Sequence, residues 1–201
     1  MEPFTRLGGI AAALPAANID TDVIMPKQFL KGIDRSGLAR GLFHDLRFDG
    51  AGRERPDFVL NRPETRGARF LVTGPNFGCG SSREHAVWGL AQYGIRALIG
   101  PSFAGIFFDN CARNGLLAIA LPGAEALALA ERVRAAPGLG IAVDLERQEI
   151  ALPERTIRFE IEPARRRALL DGRDAIGQTL EQAEEIRRFE RRHLAASPWL
   201  A

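Results

Sequence analysis

The chain is 201 residues long, with 46% apolar and 26% charged residues, an ordinary soluble composition that fits one domain and needs no disulfide or metal staple. Its 27 basic residues face 25 acidic ones, and this near-balance argues against a nucleic-acid partner, whose recognition requires a patch of one sign. Two cysteines, Cys79 and Cys111, exclude a disulfide framework and are too few to hold a cubane iron–sulfur cluster.

In chain order, the apolar stretch Leu7–Leu14 is short and interrupted by Gly8 and Gly9. It has neither the basic start nor the cleavage site of a signal peptide, and no stretch reaches membrane-spanning length, so a cytoplasmic protein is expected. Residues 1–67 read as turn-rich and irregular, punctuated by Asn18-Ile19-Asp20-Thr21-Asp22 and Asp49-Gly50. Phe70-Leu71-Val72 reads as a buried strand ending at Gly74-Pro75, and Ser82–Tyr93 as a helix closed by Gly94. Ile95–Ile99 is a second strand. Phe103, Ile106, Phe107 and Cys111 fall at helical spacing, and Leu116–Leu121 is a third strand. Strand–helix–strand–helix–strand implies parallel crossovers. Ala124–Ala136 follows as an amphipathic helix, then Ile141–Leu145, Glu149–Leu152 and Thr156–Ile161 as short strands of a separate antiparallel sheet. A charged surface helix from about Leu180 to Ala195 starts with a capping-box pattern, Thr179-x-x-Gln182. The fold class is α/β: a parallel sheet flanked by helices, with a second, smaller β layer.

The densest segment is Gly74-Pro75-Asn76-Phe77-Gly78-Cys79-Gly80-Ser81-Ser82-Arg83-Glu84-His85. A glycine-rich loop that follows a strand and opens a helix exposes backbone N–H groups to an anion. Arg83 in the first turn opposes the helix dipole, so a bound carboxylate would compensate it. A plainer reading is open beside this one: Ser81-x-x-Glu84 is a capping box, and Ser81 then simply caps the helix. A P-loop is excluded because Gly80 stands where it needs lysine, a nucleophile elbow because Glu84 replaces its second glycine, and a dinucleotide loop because Arg83 replaces its last.

The run Phe77-Gly78-Cys79-Gly80-Ser81-Ser82-Arg83-Glu84-His85-Ala86 resembles the serine-arginine signature of the aconitase superfamily's swivelling domain. Asn18-Ile19-Asp20-Thr21-Asp22 with Ile24, Pro26 and Phe29-Leu30 resembles the opening of the isopropylmalate dehydratase small-subunit family. So do Leu42-Phe43-x-Asp45-x-Arg47-Phe48, Pro56–Asn61, Pro101-Ser102-Phe103-Ala104-x-Ile106-Phe107 and the tail around Asp174–Leu180. The resemblance spans Asn18 to about Leu180 and implies a single swivel domain over residues 1–201, the helix at about 180–195 being an extension.

It further implies a hydro-lyase that converts 2-isopropylmalate to 3-isopropylmalate through isopropylmaleate, a step of leucine biosynthesis. Ser81 would be the base, working as an alkoxide, with Arg83 beside it in the catalytic pair. Gly80, Ser82, Arg83, Asp22 and Lys31 would form the substrate-binding set. This chain would bind no cofactor and no metal; a [4Fe-4S] cluster, acting as a Lewis acid, is expected in a large partner subunit, without which the chain is inactive. The partners implied are that subunit, in a heterodimer, and a small dicarboxylate, with no nucleic acid and no membrane.

Aconitases carry an arginine after the threonine-aspartate segment, whereas this chain reads Phe29-Leu30-Lys31-Gly32-Ile33-Asp34. Loss of that cation suits an isopropyl group in place of a carboxymethyl, which makes residues 31–43 the expected specificity loop. Cys79 is not read as a cluster ligand, Cys111 is read as core, and His85 as a residue that positions the loop. The run Arg165-Arg166-Arg167 is read as a solvated face or a contact between subunits. Two alternatives remain: a related hydro-lyase acting on methylmalate/citraconate or homoaconitate, and a non-catalytic anion- or RNA-binding module.

Overall fold

The computed structural model describes residues 1–31 and 35–200. Its first element is a strand, β1 (Arg6–Leu14), in the stretch that the sequence pattern leaves irregular. Gly8, Gly9 and Ala11-Ala12-Ala13 have little β propensity, so tertiary pairing creates the strand. Two short helices follow, α1 (Thr21–Ile24) and α2 (His44–Arg47), before β2 (Phe70–Thr73). Then come α3 (His85–Tyr93), β3 (Ala97–Gly100), α4 (Gly105–Arg113), β4 (Leu117–Ala120) and α5 (Gly123–Ala135). The C-terminal part holds β5 (Gly140–Asp144), β6 (Glu149–Ala151), β7 (Thr156–Arg158), α6 (Pro163–Asp171), α7 (Ala175–Leu180) and α8 (Ala183–Ala196).

The seven strands of the described residues form one sheet in the order β4-β3-β2-β1-β5-β6-β7. β1 joins its two halves. Ala11–Leu14 pair in parallel with Phe70–Thr73, while Arg6–Ile10 pair antiparallel with Gly140–Asp144. The antiparallel strands expected as a separate sheet are therefore hydrogen-bonded into the parallel one. The smaller β layer is the far half of a single curled sheet.

Strand alternation builds two cores. Ala11, Ala13, Phe70, Val72, Ile99 and Ile119 meet Leu129 and Val133 of α5, and the curl brings Ile141, Val143, Ile150 and Ile157 onto the same core. Ala12, Leu71, Leu98 and Ala118 point the other way, against Val87 and Leu90 of α3 and Phe107 and Cys111 of α4. The crossover helices α3 and α4 thus share one face of the sheet.

Three local expectations change. α3 begins at His85, later than the sequence suggests, because the motif residues before it hold an extended loop. The arginine run lies in α6, where two of its three members turn inward. Arg165 pairs with Asp109 at 2.8 Å and lies 4.4 Å from the Phe108 ring centroid, while Arg166 donates to the carbonyls of Leu145 and Glu146 at 3.1 and 2.7 Å. The terminal helix is α8, preceded by the separate α7; its cap position is Gln182, which makes no side-chain bond to it, so the Thr179–Gln182 box does not start it.

Candidate active site

The motif loop leaves the end of β2, beside the segment that leaves the parallel end of β1. The two run side by side: Asn18 N–H donates to the Pro75 carbonyl at 2.9 Å, Gly78 N–H to Ile19 at 2.7 Å, and Thr21 N–H to Cys79 at 2.8 Å. Parallel strands that end together place their following loops together, and polar function gathers there. Thr21, Asp22, Ser81 and Arg83, about sixty residues apart in sequence, become neighbours.

Two glycines let the loop take this course. Gly78, at φ +79°, lies against the Phe107 ring, leaving no space for a Cβ. Gly80, at φ +94°, would bring a Cβ to 3.1 Å from that of Asp20. Both combine the left-handed region with close approach, which only glycine meets without strain.

Ser81 is half-buried, and its Oγ lies 2.6 Å from the Thr21 Oγ1 and 3.3 Å from the Arg83 backbone N–H, which donates to it. Arg83 pairs through Nη1 with Asp22 Oδ1, while its side chain remains about a quarter exposed (26%). That pairing uses one arm of a planar fork that offers five N–H donors, so the rest can meet a carboxylate. Ser82 is exposed; its carbonyl accepts from Asn110 Nδ2 at 3.3 Å. Asp20, whose carboxylate accepts the Val23 N–H at 2.8 Å, caps α1 and stays outside the group.

The capping box does not form. Glu84 occupies the cap position of α3 with no side-chain bond to it, and its carboxylate accepts instead from Asn114 Nδ2 at 2.6 Å. Asn114 also accepts the Trp88 indole N–H at 2.9 Å. Asn110 and Asn114 of the α4 region therefore clamp the loop that the expected cap would have held. Ser81 precedes the first helical turn, so the helix dipole acts on it weakly. Among the described residues its donors are Arg83 N–H and whatever Thr21 supplies.

The structure brings Ser81, Arg83 and Asp22 into one group, with Gly80 and Ser82 on its exposed rim. Lys31 is exposed, and no hydrogen bond or ion pair joins it to that group among the described residues. Within the expected specificity loop, Gly32, Ile33 and Asp34 lie outside the described residues. The remainder packs on α3: Leu38 N–H donates to Gln92 Oε1 at 2.8 Å, and the Arg35 guanidinium lies 4.5 Å from the Trp88 ring centroid. Arg47 is buried beneath it and donates to the Ala39 and Leu42 carbonyls at 3.0 and 3.2 Å; burial lowers its pKa. His85 lies 4.6 Å from the Trp88 ring, at the start of the same helix.

Thr21, Asn110 and Asn114 are the site residues that the sequence pattern does not single out. Thr21 adjoins Asp22 in a motif already conspicuous, and that adjacency was its only signal. The thiols do not fit a cubane cluster, which needs several thiolates. Cys111 is buried in the core, where desolvation pushes its thiol pKa well up, and Cys79 is half-buried in the motif loop. Among the described residues no three His, Cys, Asp or Glu side chains are grouped to hold a metal ion.

Comparison with known proteins matches this arrangement to a family. A profile described as the aconitase C-terminal domain covers residues 1–124, and one described as the C-terminal domain of the 3-isopropylmalate dehydratase small subunit covers 176–201. A third, LeuD_N, covers 128–163. The chain belongs to the 3-isopropylmalate dehydratase small-subunit family. Small subunits of that name from Phenylobacterium zucineum and Mannheimia succiniciproducens are 54% and 53% identical, over 100% of this chain and 98% and 99% of theirs. A second small subunit of Salmonella typhimurium is 52% identical over 100% of this chain and 96% of its own. The crystal structure of 3-isopropylmalate dehydratase from Methanocaldococcus jannaschii superposes with a TM-score of 0.66 at 29% identity, covering 92% of this chain and 99% of that one.

Proposed function

We propose that the chain is the proton-transferring half of a 3-isopropylmalate dehydratase, in which Ser81 is the base. The observation that carries the reading is the Ser81 hydroxyl, held by two neighbours at the open end of the parallel strands, with the Arg83 guanidinium alongside. The small-subunit family supplies the reaction: loss of water from 2-isopropylmalate, then its return in the opposite sense to give 3-isopropylmalate. Ser81 Oγ takes the proton from the carbon next to the one that loses hydroxyl, and gives it back during rehydration. Free donors of Arg83 grip a substrate carboxylate, Asp22 holds the guanidinium in place, and the Gly80–Ser82 rim meets the same carboxylate through backbone N–H and hydroxyl groups.

Acceptance of the leaving hydroxyl falls to the large subunit, where the family resemblance puts a [4Fe-4S] cluster. The pocket then lies between subunits, in a cytoplasmic heterodimer, and the exposed rim of the motif is its half on this chain. Residues 1–201 act as one swivel domain, with α8 an extension of it.

The test is reconstitution. Mixed with a large subunit, the chain should convert 2-isopropylmalate, and convert citraconate and homoaconitate far more slowly; alone it should be inactive. Turnover by the isolated chain would overturn the reading, and a preference for citraconate or homoaconitate would move it to a sister hydro-lyase. Grafting an aconitase-like segment over residues 31–43 should lower isopropylmalate turnover.

A further inference from the structure

A serine is a weak base unless its anion is stabilised, and few donors reach this one. Among the described residues, Ser81 Oγ is contacted by the Arg83 backbone N–H at 3.3 Å and by Thr21 Oγ1 at 2.6 Å. The first is long for an N–H···O bond. The second is a short hydroxyl–hydroxyl bond in which either oxygen can donate. Arg83's guanidinium is turned to Asp22 and does not bond Ser81 Oγ.

Thr21 is held in place to do this. It is 1% exposed, at the start of α1. Its N–H donates to Cys79 at 2.8 Å and its carbonyl accepts from Met25 at 2.9 Å, so the main chain on both sides is pinned. Ser81 is the hydroxyl's only hydrogen-bond partner among the described residues. A base must accept, so in the reactive form Thr21 must donate.

We infer that Thr21 is a further catalytic residue, whose hydroxyl donates to Ser81 Oγ and stabilises its alkoxide. The inference rests on the reading of Ser81 as base. When the substrate C–H bond breaks, the proton goes to Ser81 Oγ and the electron pair forms the double bond as hydroxide leaves. The Thr21 hydrogen bond weakens as Ser81 becomes neutral and strengthens again when Ser81 returns the proton. Thr21 is neither consumed nor ionised. Its contribution is that of a preorganised donor in a site from which a bound substrate excludes water.

The experiment compares Thr21→Val, which keeps shape and removes the hydroxyl, with Thr21→Ser, which keeps the hydroxyl, each assembled with a large subunit. Thr21→Val should lower kcat by about 10²-fold with little change in KM, and Thr21→Ser should retain most of kcat. The double variant Thr21→Val/Ser81→Ala should be no slower than Ser81→Ala, because both act through one oxygen. Wild-type kcat in Thr21→Val, or equal losses in Thr21→Val and Thr21→Ser, would overturn the inference. If Ser81→Ala itself keeps full turnover, the base assignment fails as well; an inactive Ser81→Ala beside an active Thr21→Val removes Thr21 alone. Should Thr21→Val not assemble, Thr21→Ala takes its place. Failure of both to assemble, with Thr21→Ser normal, would make the hydroxyl architectural and also overturn the inference.

Discussion

The two halves of the sheet share a strand and differ in what their ends carry. In the parallel half, β1 and β2 finish together, and the loops beyond them bring Thr21, Asp22, Ser81 and Arg83 into contact. In the antiparallel half, β5, β6 and β7 turn back at each end, and their inward side chains, Val143, Ile150 and Ile157, are spent on the core around α5. Parallel strands need long connections and so leave polar loops at one edge. β5, β6 and β7 are joined to one another by short turns instead. One sheet thus gathers a polar group at one end and supports it from the other, and β1 changes partner where the two meet.

If that division holds, substitutions in the two halves should fail differently. Gly78→Ala forces a side chain into a left-handed residue and against the Phe107 ring, and should cost about 3 kcal/mol or more. The fraction that still folds should also turn over poorly, since the loop carries Ser81; thermal melts and kcat of the assembled complex would read both. Ile150→Ala empties space in the supporting core and should cost about 2–4 kcal/mol, yet leave kcat of the folded complex near wild type. A large kcat loss there would break the division.

The smallest effect is expected at Glu162, whose carboxylate accepts the Ala164 and Arg165 N–H groups at the start of α6, both at 2.8 Å. These bonds, first to Ala164 and then to Arg165, lower its pKa from the ordinary 4.5. A depressed folded pKa contributes stability that is present above 4.5 and lost as pH falls through the folded value. Glu162→Gln should therefore lower Tm slightly at neutral pH, with the difference shrinking in acid, and should not touch turnover.

Much of this was legible in the sequence, for reasons that separate along the same line. β2, β3 and β4 are buried on both faces and read as continuous apolar runs between Gly-Pro stops, so local pattern sufficed. β1 did not, because glycine and alanine carry no strand signal and its pairing is wholly long-range. In the site, the motif made Ser81, Arg83 and Asp22 visible, whereas the Glu84 cap failed because Asn114, thirty residues on, competes for that carboxylate. Thr21 escaped for a similar reason: its partner is sixty residues away, and a buried threonine looks like any other.

The central claim is that Ser81 moves the proton. The most direct measurement is solvent-deuterium incorporation into isopropylmalate by the assembled complex, followed by NMR, with wild type and Ser81→Ala compared after equal association of the subunits is verified. The account predicts exchange in wild type and a loss of about 10³-fold or more in Ser81→Ala, with complex formation intact. Exchange at the wild-type rate in Ser81→Ala would contradict it.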